Sequence, residues 1–336
     1  MTQRYPQWLM TAAVMGLLVI GPVRGRAAEP DKLLPAEAEI VVQINYKQIL
    51  ESELIKKYAL EQMKQALQNQ DAKKLLDELG LDPFRDIHRI IIAGEIRGRG
   101  EEGRYLMIGY GSFDPEKLFA TAEAYSKKNP DRFSLIRDGD TVMFKFQPDS
   151  GQMPVYATVL DDKTVVAGSD KKIVMNAVAA SRSNKKPPIK PELTALLKKM
   201  DEKASIYACA LVKGKFDDVN IPQGAPIDLT RFQELLPKME TLSLAFRIGK
   251  DVKMEVNMGM SNEDAADEMN KAMKNLLNDI KPLLQLATAA DPRTKPLTDV
   301  VNSIKVNTKS KEVTLTGEIS EANIQRMIKP DDDGQP

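Results

Sequence analysis

The sequence is poor in the residues that most enzymes use for nucleophilic or metal-assisted chemistry. Its 336 residues include one cysteine, Cys209, and one histidine, His88. A single cysteine excludes an intramolecular disulfide bond, and one residue of each type argues against a zinc site, which usually has at least two His or Cys ligands. A serine or cysteine nucleophile normally needs a histidine base, so such a mechanism would depend entirely on His88.

Tryptophan and concentrated positive charge are also lacking. The only tryptophan, Trp8, lies near the N-terminus, and 48 basic side chains face 48 acidic ones. Loss of Arg4, Arg24 and Arg26 with an N-terminal signal leaves 45 basic residues. Proteins that bind nucleic acids depend on concentrated positive charge, so this balance argues against a nucleic-acid partner.

The N-terminus has the pattern of a secretory signal peptide. Arg4 precedes a twelve-residue apolar run, Leu9 to Ile20, and Gly25 and Ala27 provide small side chains for a cleavage site. We therefore expect residues 1–28 to be a signal peptide. The run is shorter than the roughly 20 residues of a membrane span, so we expect no span after cleavage, with a retained anchor as the alternative. Export without disulfide bonds favours the periplasm or exterior of a bacterium.

Two β-hairpins, each followed by an amphipathic helix, organise the remaining chain. They are predicted at Ile87–Gly111 and Met239–Met260. In the second, apolar and polar residues alternate along both strands, as in a sheet with one packed face. Such sheets are usually antiparallel, so the predicted fold class is α+β, with two similar modules that each have a mainly antiparallel sheet packed on one face by helices. The run Ile90–Ile92 predicts a strand buried on both faces, against the other module.

The predicted domain boundaries follow from composition. After the signal peptide we expect module 1 at residues 29–181, a proline-rich linker at 182–191, module 2 at 192–330, and a disordered acidic tail at 331–336. Both modules share the order strand, helix, hairpin, helix, final hairpin, capped helix. This shared order predicts an internal duplication.

Several helix ends can be predicted from capping residues. Asp114 and Asp170 stand where N-caps are expected, and Ser261 with Asp264 resembles a capping box that starts the longest helix. Pro282 is expected to kink that helix or divide it in two.

Methionine is the one residue type that points towards a ligand. Methionine fills irregular, adaptable cavities, so a groove between the second sheet and the helix at 261–288 could admit an acyl chain. Ordinary packing of sheet on helix is the alternative, and regular spacing favours it. The residues concerned are Met254, Met258, Met260, Met269 and Met273.

A glycine motif resembles the dinucleotide-binding fingerprint only in its spacing. Gly98, Gly100 and Gly103 match G-x-G-x-x-G and follow a predicted strand. A phosphate cradle requires the loop to open a helix, whereas a strand is predicted from Tyr105 onward. We therefore expect no cofactor and interpret the glycines as a polar hairpin loop.

The remaining chemical candidates also have structural explanations. Asp138, Asp140, Asp161 and Asp162 fall where hairpin turns favour aspartate, and none has the spacing of a calcium loop. Cys209 lies in the apolar strand SIYACALV, which predicts a buried, inert thiol and not a dyad with His88. The sequence therefore predicts no catalytic, cofactor-binding or metal-binding residue.

Three stretches resemble an uncharacterised family of exported bacterial proteins. They are LLPAEAEIVVQIN at residues 33–45, LDPFRDIHRIIIAG at 81–94 and TVVAGSDKKIVMNAV at 164–178. The resemblance implies export and repeated strand, helix and hairpin modules. It implies no activity and no catalytic residues.

The expected function is that of an exported, non-enzymatic binding or structural protein of the bacterial envelope, with an unknown protein or an apolar small molecule as partner. One alternative is a carrier that holds a lipid or other apolar ligand between the second sheet and the helix at 261–288. Another is a hydrolase that works through carboxylates, because the chain has 48 acidic residues from which a pair could be formed.

Overall fold

The computed structural model describes residues 28–67, 73, 76–77, 80–97, 103–148, 153–217, 219 and 229–328. The predicted acidic tail and the predicted signal peptide, apart from Ala28, lie outside these residues. The chain divides into two compact units, Gly25–Leu211 and Val212–Pro336. Each is described separately below.

The first unit consists of helices and antiparallel strands. Its described helices are α1 (Tyr46–Glu51), α2 (Glu53–Tyr58), α3 (Leu60–Ala66), α4 (Pro83–Asp86), α5 (Pro115–Lys128), α6 (Lys171–Ser181) and α7 (Pro191–Lys199). Its strands are β1 (Ile40–Ile44), β2 (Ile87–Gly94), β3 (Tyr105–Gly111), β4 (Phe133–Asp138), β5 (Thr141–Phe146), β6 (Val155–Asp161), β7 (Thr164–Gly168) and β8 (Ile206–Leu211). The strand order is β8-β1-β2-β3-β7-β6-β5-β4.

One face of this sheet is densely packed against α6. Ile91, Ile108 and Val166 lie side by side across β2, β3 and β7, and all three are buried. At Gly168 a Cβ atom would lie 2.6 Å from the side chain of Ile173, so α6 approaches the sheet backbone closely there. A side chain larger than that of glycine would push α6 away from the sheet.

The opposite face is apolar but only partly covered. Ile92 of β2 is 38% exposed and Met107 of β3 is 40% exposed, and the two are direct cross-strand neighbours. The prediction that the strand containing Ile90–Ile92 is buried on both faces is therefore wrong. Within its own unit, β2 is a central strand that pairs with β1 and β3.

In its described residues, the second unit has four strands and four α-helices. They are α8 (Thr230–Leu235), β9 (Met239–Ile248), β10 (Val252–Met260), α9 (Glu263–Ala290), α10 (Lys295–Asn302), β11 (Lys305–Lys309), β12 (Glu312–Ile319) and α11 (Glu321–Ile328). The strand order is β11-β12-β10-β9, and every pairing is antiparallel. Helix α9 packs on β10, β11 and β12. The α+β class is therefore confirmed in both units.

The longest helix begins one residue later than its predicted capping box indicates. Asn262 is the N-cap of α9, and its side-chain oxygen accepts a hydrogen bond from Ala265 N at 2.8 Å. Ser261 instead donates its backbone N–H to Lys238 O. The helix also runs through Pro282 without being divided. Asparagine caps as well as serine does, so the sequence alone allowed either start.

The boundary between the units differs from the predicted one. Strand β8 pairs with β1 along its whole length, so residues 192–211 belong to the first unit and the division falls at Leu211. The predicted modules 29–181 and 192–330 are corrected accordingly, because the proline-rich segment 182–191 leads into α7 and β8 within one unit. The described residues form eight strands in one unit and four in the other, so the structure does not confirm the internal duplication, which stays a prediction.

The N-terminal segment 28–38 is fixed to the first unit. Ala28 is buried and donates its N–H to Met200 O at 2.9 Å. Asp31 accepts a hydrogen bond from the Tyr110 hydroxyl at 2.7 Å and lies 3.5 Å from the Arg89 guanidinium, which stacks 4.3 Å from the centre of the Tyr110 ring. Burial, together with the negative charge of Asp31, raises the pKa of Tyr110. The tyrosine therefore remains a hydrogen-bond donor at neutral pH.

We expect Tyr110→Phe to lower the free energy of unfolding by about 1 to 2 kcal/mol, because it removes this hydrogen bond to a carboxylate. Tyr105→Phe is the matched control on the same strand, since the Tyr105 hydroxyl bonds to no described residue. Urea denaturation of both variants measures the difference. Equal destabilisation by the two substitutions would contradict the assigned role of Asp31.

Candidate functional site

A cavity of about 320 Å³ lies on the partly covered face of the first unit, between the sheet and α5. We call it the apolar pocket. Of the residues that line it, only Thr158 has a polar side chain. The lining residues are Leu81, Ile87, Ile90, Met107, Gly109, Phe113, Leu118, Ala122, Phe133, Phe144, Ala157, Thr158, Val159, Val165, Val166 and Ala167.

The floor of the apolar pocket follows from strand register. Ile90, Gly109, Val165 and Val159 align across β2, β3, β7 and β6, so their side chains share one face. A Cβ atom at Gly109 would lie 2.8 Å from the side chain of Val165. Because Gly109 has no side chain, the space above the middle of the pocket floor remains open.

Helix α5 forms one wall of the pocket. The Asp114 side chain accepts a hydrogen bond from Lys117 N at 3.0 Å and begins the helix, as predicted. Leu118 and Ala122 are one turn apart and line the pocket together. Ala122 is only 6% exposed and small, so the space in front of it depends on its short side chain.

Aromatic rings close the end of the pocket near β4 and β5. The rings of Phe133 and Phe144 stack with centroids 5.9 Å apart, and Phe119 of α5 lies 5.3 Å from Phe144. Tyr125 meets Phe133 edge to face at 5.5 Å. Such ring pairs add to the burial energy and fix the orientation of each ring. This wall is therefore formed by a connected set of four aromatic rings.

Two lining residues of the pocket, Leu81 and Ile87, lie shortly before and directly after the short helix α4. The Asp86 carboxylate accepts hydrogen bonds from Arg85 Nε at 2.7 Å and from Asp82 N at 2.8 Å. The hydrogen bonds from Arg85 are the main reason that the pKa of Asp86 lies below its usual value, and the bond from Asp82 N acts in the same direction. The charged form of Asp86 thus stabilises the turn that places Leu81 and Ile87.

This lowered pKa predicts a pH dependence of stability. A carboxylate with a lower pKa in the folded state stabilises the fold above its unfolded pKa of about 3.9, and that contribution is lost as the pH falls through the folded pKa. We expect Asp86→Asn to cost about 1 to 2 kcal/mol at pH 7 and less at pH 3. Denaturant unfolding at both pH values tests this. A difference between the proteins that does not change with pH would show that the charge of Asp86 is unimportant.

The apolar pocket can bury apolar surface of a ligand but offers few groups for polar contacts. The Thr158 hydroxyl donates to Val142 O at 2.7 Å and is already satisfied. Among the described residues, the lining contains no charged side chain and no cysteine, histidine or serine. A molecule held there is bound by removal of apolar surface from water.

The two residues that could have formed a thiol dyad are far apart. Cys209 of β8 is in register with Val41 of β1 and, through it, with Ala93 of β2. His88 lies five residues from Ala93 along β2, so the two positions are about 16 Å apart along the strand direction and two strand spacings apart across the sheet. Cys209 is buried, as predicted, and burial raises the pKa of its thiol to about 12.

Cys209 is therefore expected not to react with a disulfide reagent such as 5,5′-dithiobis(2-nitrobenzoate) at pH 8 in the folded protein. In urea the unfolded chain should release one equivalent of the chromophore, because the thiol is then exposed and its pKa returns to about 8.5. Fast reaction without urea would contradict the burial of β8.

The other predicted candidates lie in turns and loops. Gly98 and Gly100 are outside the described residues, but β2 and β3 pair antiparallel and β3 begins at Tyr105, so the motif lies in the connection between two strands. Asp138 and Asp161 end β4 and β6 at hairpin turns, where Asp161 accepts a hydrogen bond from Lys163 N at 2.9 Å. Within the described ranges, no cluster of three or more His, Cys, Asp or Glu residues is placed to hold a metal ion.

Four of the five methionines singled out in the second unit are part of its core, and the fifth, Met273, is partly buried. Met254, Met258, Met260 and Met269 are all buried, and Met269 is completely inaccessible. They form ordinary packing of sheet on helix, the alternative that their spacing favours.

The apolar pocket itself was not predicted. Its one sequence signal is a run of apolar residues, Ile90–Ile92, that continues on both faces of a strand.

Comparison with known proteins gives one distant match in structure. No protein-family model and no curated protein matches the sequence. The fold is similar to a solved structure described as crystal form I of TP0453, with a TM-score of 0.47 and 11% sequence identity over 90% of this chain and 97% of that one. The resemblance to uncharacterised exported proteins stays a prediction.

Among the described helices, none is both long and apolar enough to cross a membrane.

Proposed function

We propose that the chain is an exported, non-enzymatic binding protein of the bacterial envelope that holds an apolar molecule in the apolar pocket. The observation that carries this proposal is a cavity of about 320 Å³ with an almost wholly apolar lining. Ligand pockets in proteins typically measure about 300 to 1,000 Å³ and are lined mainly by hydrophobic and aromatic side chains. The signal pattern from Arg4 to Ala27 supports export.

The size of the pocket fits a single acyl chain or a small ring system. An apolar cavity of about 150 Å³ is enough to bind benzene, and this pocket has about twice that volume. Each buried methylene contributes about 0.8 kcal/mol, so about eight of them would contribute roughly 6 kcal/mol before the entropic cost of binding. Micromolar to millimolar binding is therefore expected.

The proposed ligand position differs from that of the predicted carrier, in which the ligand lies between the second sheet and the helix at 261–288. Between the helix at 261–288 and the second sheet, Met254, Met258, Met260 and Met269 are already buried. The apolar pocket lies in the first unit, where Met107 is half exposed at its edge. A carboxylate-dependent hydrolase gains no support here, because no acidic residue lines the apolar pocket.

We expect Ala122→Leu to weaken ligand binding at least about tenfold, equivalent to about 1.4 kcal/mol, because the larger side chain fills the pocket. Ala124→Leu is the matched control, since Ala124 is exposed on the same helix. The assay is fluorescence titration of the exported protein with N-phenyl-1-naphthylamine, an uncharged apolar probe, followed by displacement with decanol.

Folding is monitored by thermal unfolding, in which Ala122→Leu should be as stable as the wild type or more stable, because filling a cavity stabilises a protein. Absence of saturable probe binding to the wild type would overturn the proposal. Equal binding by the wild type and both variants would show that the probe binds elsewhere.

A further inference from the structure

A second cavity adjoins the apolar pocket where the sheet opens between β5 and β6. These strands pair only over Phe144–Phe146 and Val155–Ala157. Residues 141–143 of β5 have no ladder partner in β6, and the Thr158 hydroxyl bridges the gap to Val142 O at 2.7 Å. The strands therefore separate without a backbone hydrogen bond to hold them together at this point.

The cavity in this gap, which we call the polar cleft, measures about 350 Å³. Thr158 and Val159 line both the polar cleft and the apolar pocket, so the two cavities meet at this part of strand β6. Phe119 of α5 also lines the cleft and contacts Phe144, which lines the pocket. One molecule with an apolar end and a polar end can occupy both.

Three charged side chains lie at the polar cleft or next to it. Arg182, directly after α6, lines the cleft, is exposed, and forms no ion pair with a described residue. Lys32 Nζ lies 2.9 Å from Ser181 O and so offsets the negative end of the α6 dipole. Asp140, exposed in the turn between β4 and β5, also lines the cleft and repels an anion.

Resting on the proposed function, we propose that the ligand is a single-chain amphiphile with an anionic headgroup, whose chain lies in the apolar pocket and whose headgroup binds Arg182 in the polar cleft. The planar guanidinium presents paired N–H donors that match a carboxylate or a phosphate. Asp140 carries no such donors and weakens the attraction. Arg182 is thus the residue that selects the headgroup.

The test compares decanoate, decanol and decyltrimethylammonium as displacers of N-phenyl-1-naphthylamine at pH 8, where decanoate is ionised. We expect wild-type protein to bind decanoate about fivefold more tightly than decanol, as for a partly exposed ion pair. Arg182→Gln should remove this preference and leave decanol binding unchanged. Asp140→Asn should strengthen decanoate binding. Lys185→Gln, which changes an exposed cation three residues away, is the control and should change neither.

The outcomes separate the two proposals. If decanol does not bind at all, the proposed function fails. If decanol binds and decanoate binds no better, only the anionic headgroup is overturned. Weaker decanoate binding after Asp140→Asn would also overturn it, because Asp140 would then support the anion site and not repel the anion. Tighter binding of the ammonium than of decanoate would overturn it as well, because that order indicates a cationic headgroup.

A last comparison distinguishes a headgroup site from a structural role of Arg182. An equal loss of decanol and decanoate affinity in Arg182→Gln would show that the arginine supports the cavity and not the headgroup. Alkyl phosphate in place of decanoate then identifies which anion binds more tightly in the wild type. Binding of both anions with the same Arg182 dependence supports the proposal.

Discussion

The first unit depends on the alternation of side chains across its eight-stranded sheet. Because successive residues point to opposite faces, the register that buries Ile91, Ile108 and Val166 on one face also places Ile90, Ile92 and Met107 together on the other face. Both faces are therefore apolar, but only one is fully covered. Helix α5 and the aromatic residues of β4 and β5 cover the second face at one end and leave the apolar pocket beside them.

The second unit shows the alternative solution to the same constraint. There the apolar residues of β10 and β12 occupy one face, and α9 runs across it with Ala265, Ala266 and Met269 buried. The other face carries Lys253, Glu255 and Asn257, which can face water. A sheet with one apolar face and one long helix fills its core, whereas a sheet with two apolar faces needs a second layer. The first unit provides that layer only in part.

This difference explains which features the sequence predicted. Local signals such as the caps Asp114 and Asp170 and the hairpin turns at Asp138 and Asp161 were predicted correctly, because each depends on a few neighbouring residues. The boundary at Leu211 was not, since β8 joins β1 across about 160 residues of chain. The run Ile90–Ile92 has the same appearance whether its second face meets a helix or a cavity. Periodicity reports that a side chain avoids water and does not report what covers it.

The gap between β5 and β6 has a similar origin and a chemical consequence. Nothing in the two strand sequences indicates that pairing stops at Phe144, because Thr141–Met143 alternate as regularly as the residues that pair. A purely apolar cavity discriminates poorly between chains, since one methylene changes binding by only about 1 kcal/mol. Selectivity in such a protein has to come from the polar end of the ligand. Arg182 and Asp140, opposite in charge, both line the polar cleft at this separation of the strands, where we propose that the headgroup binds.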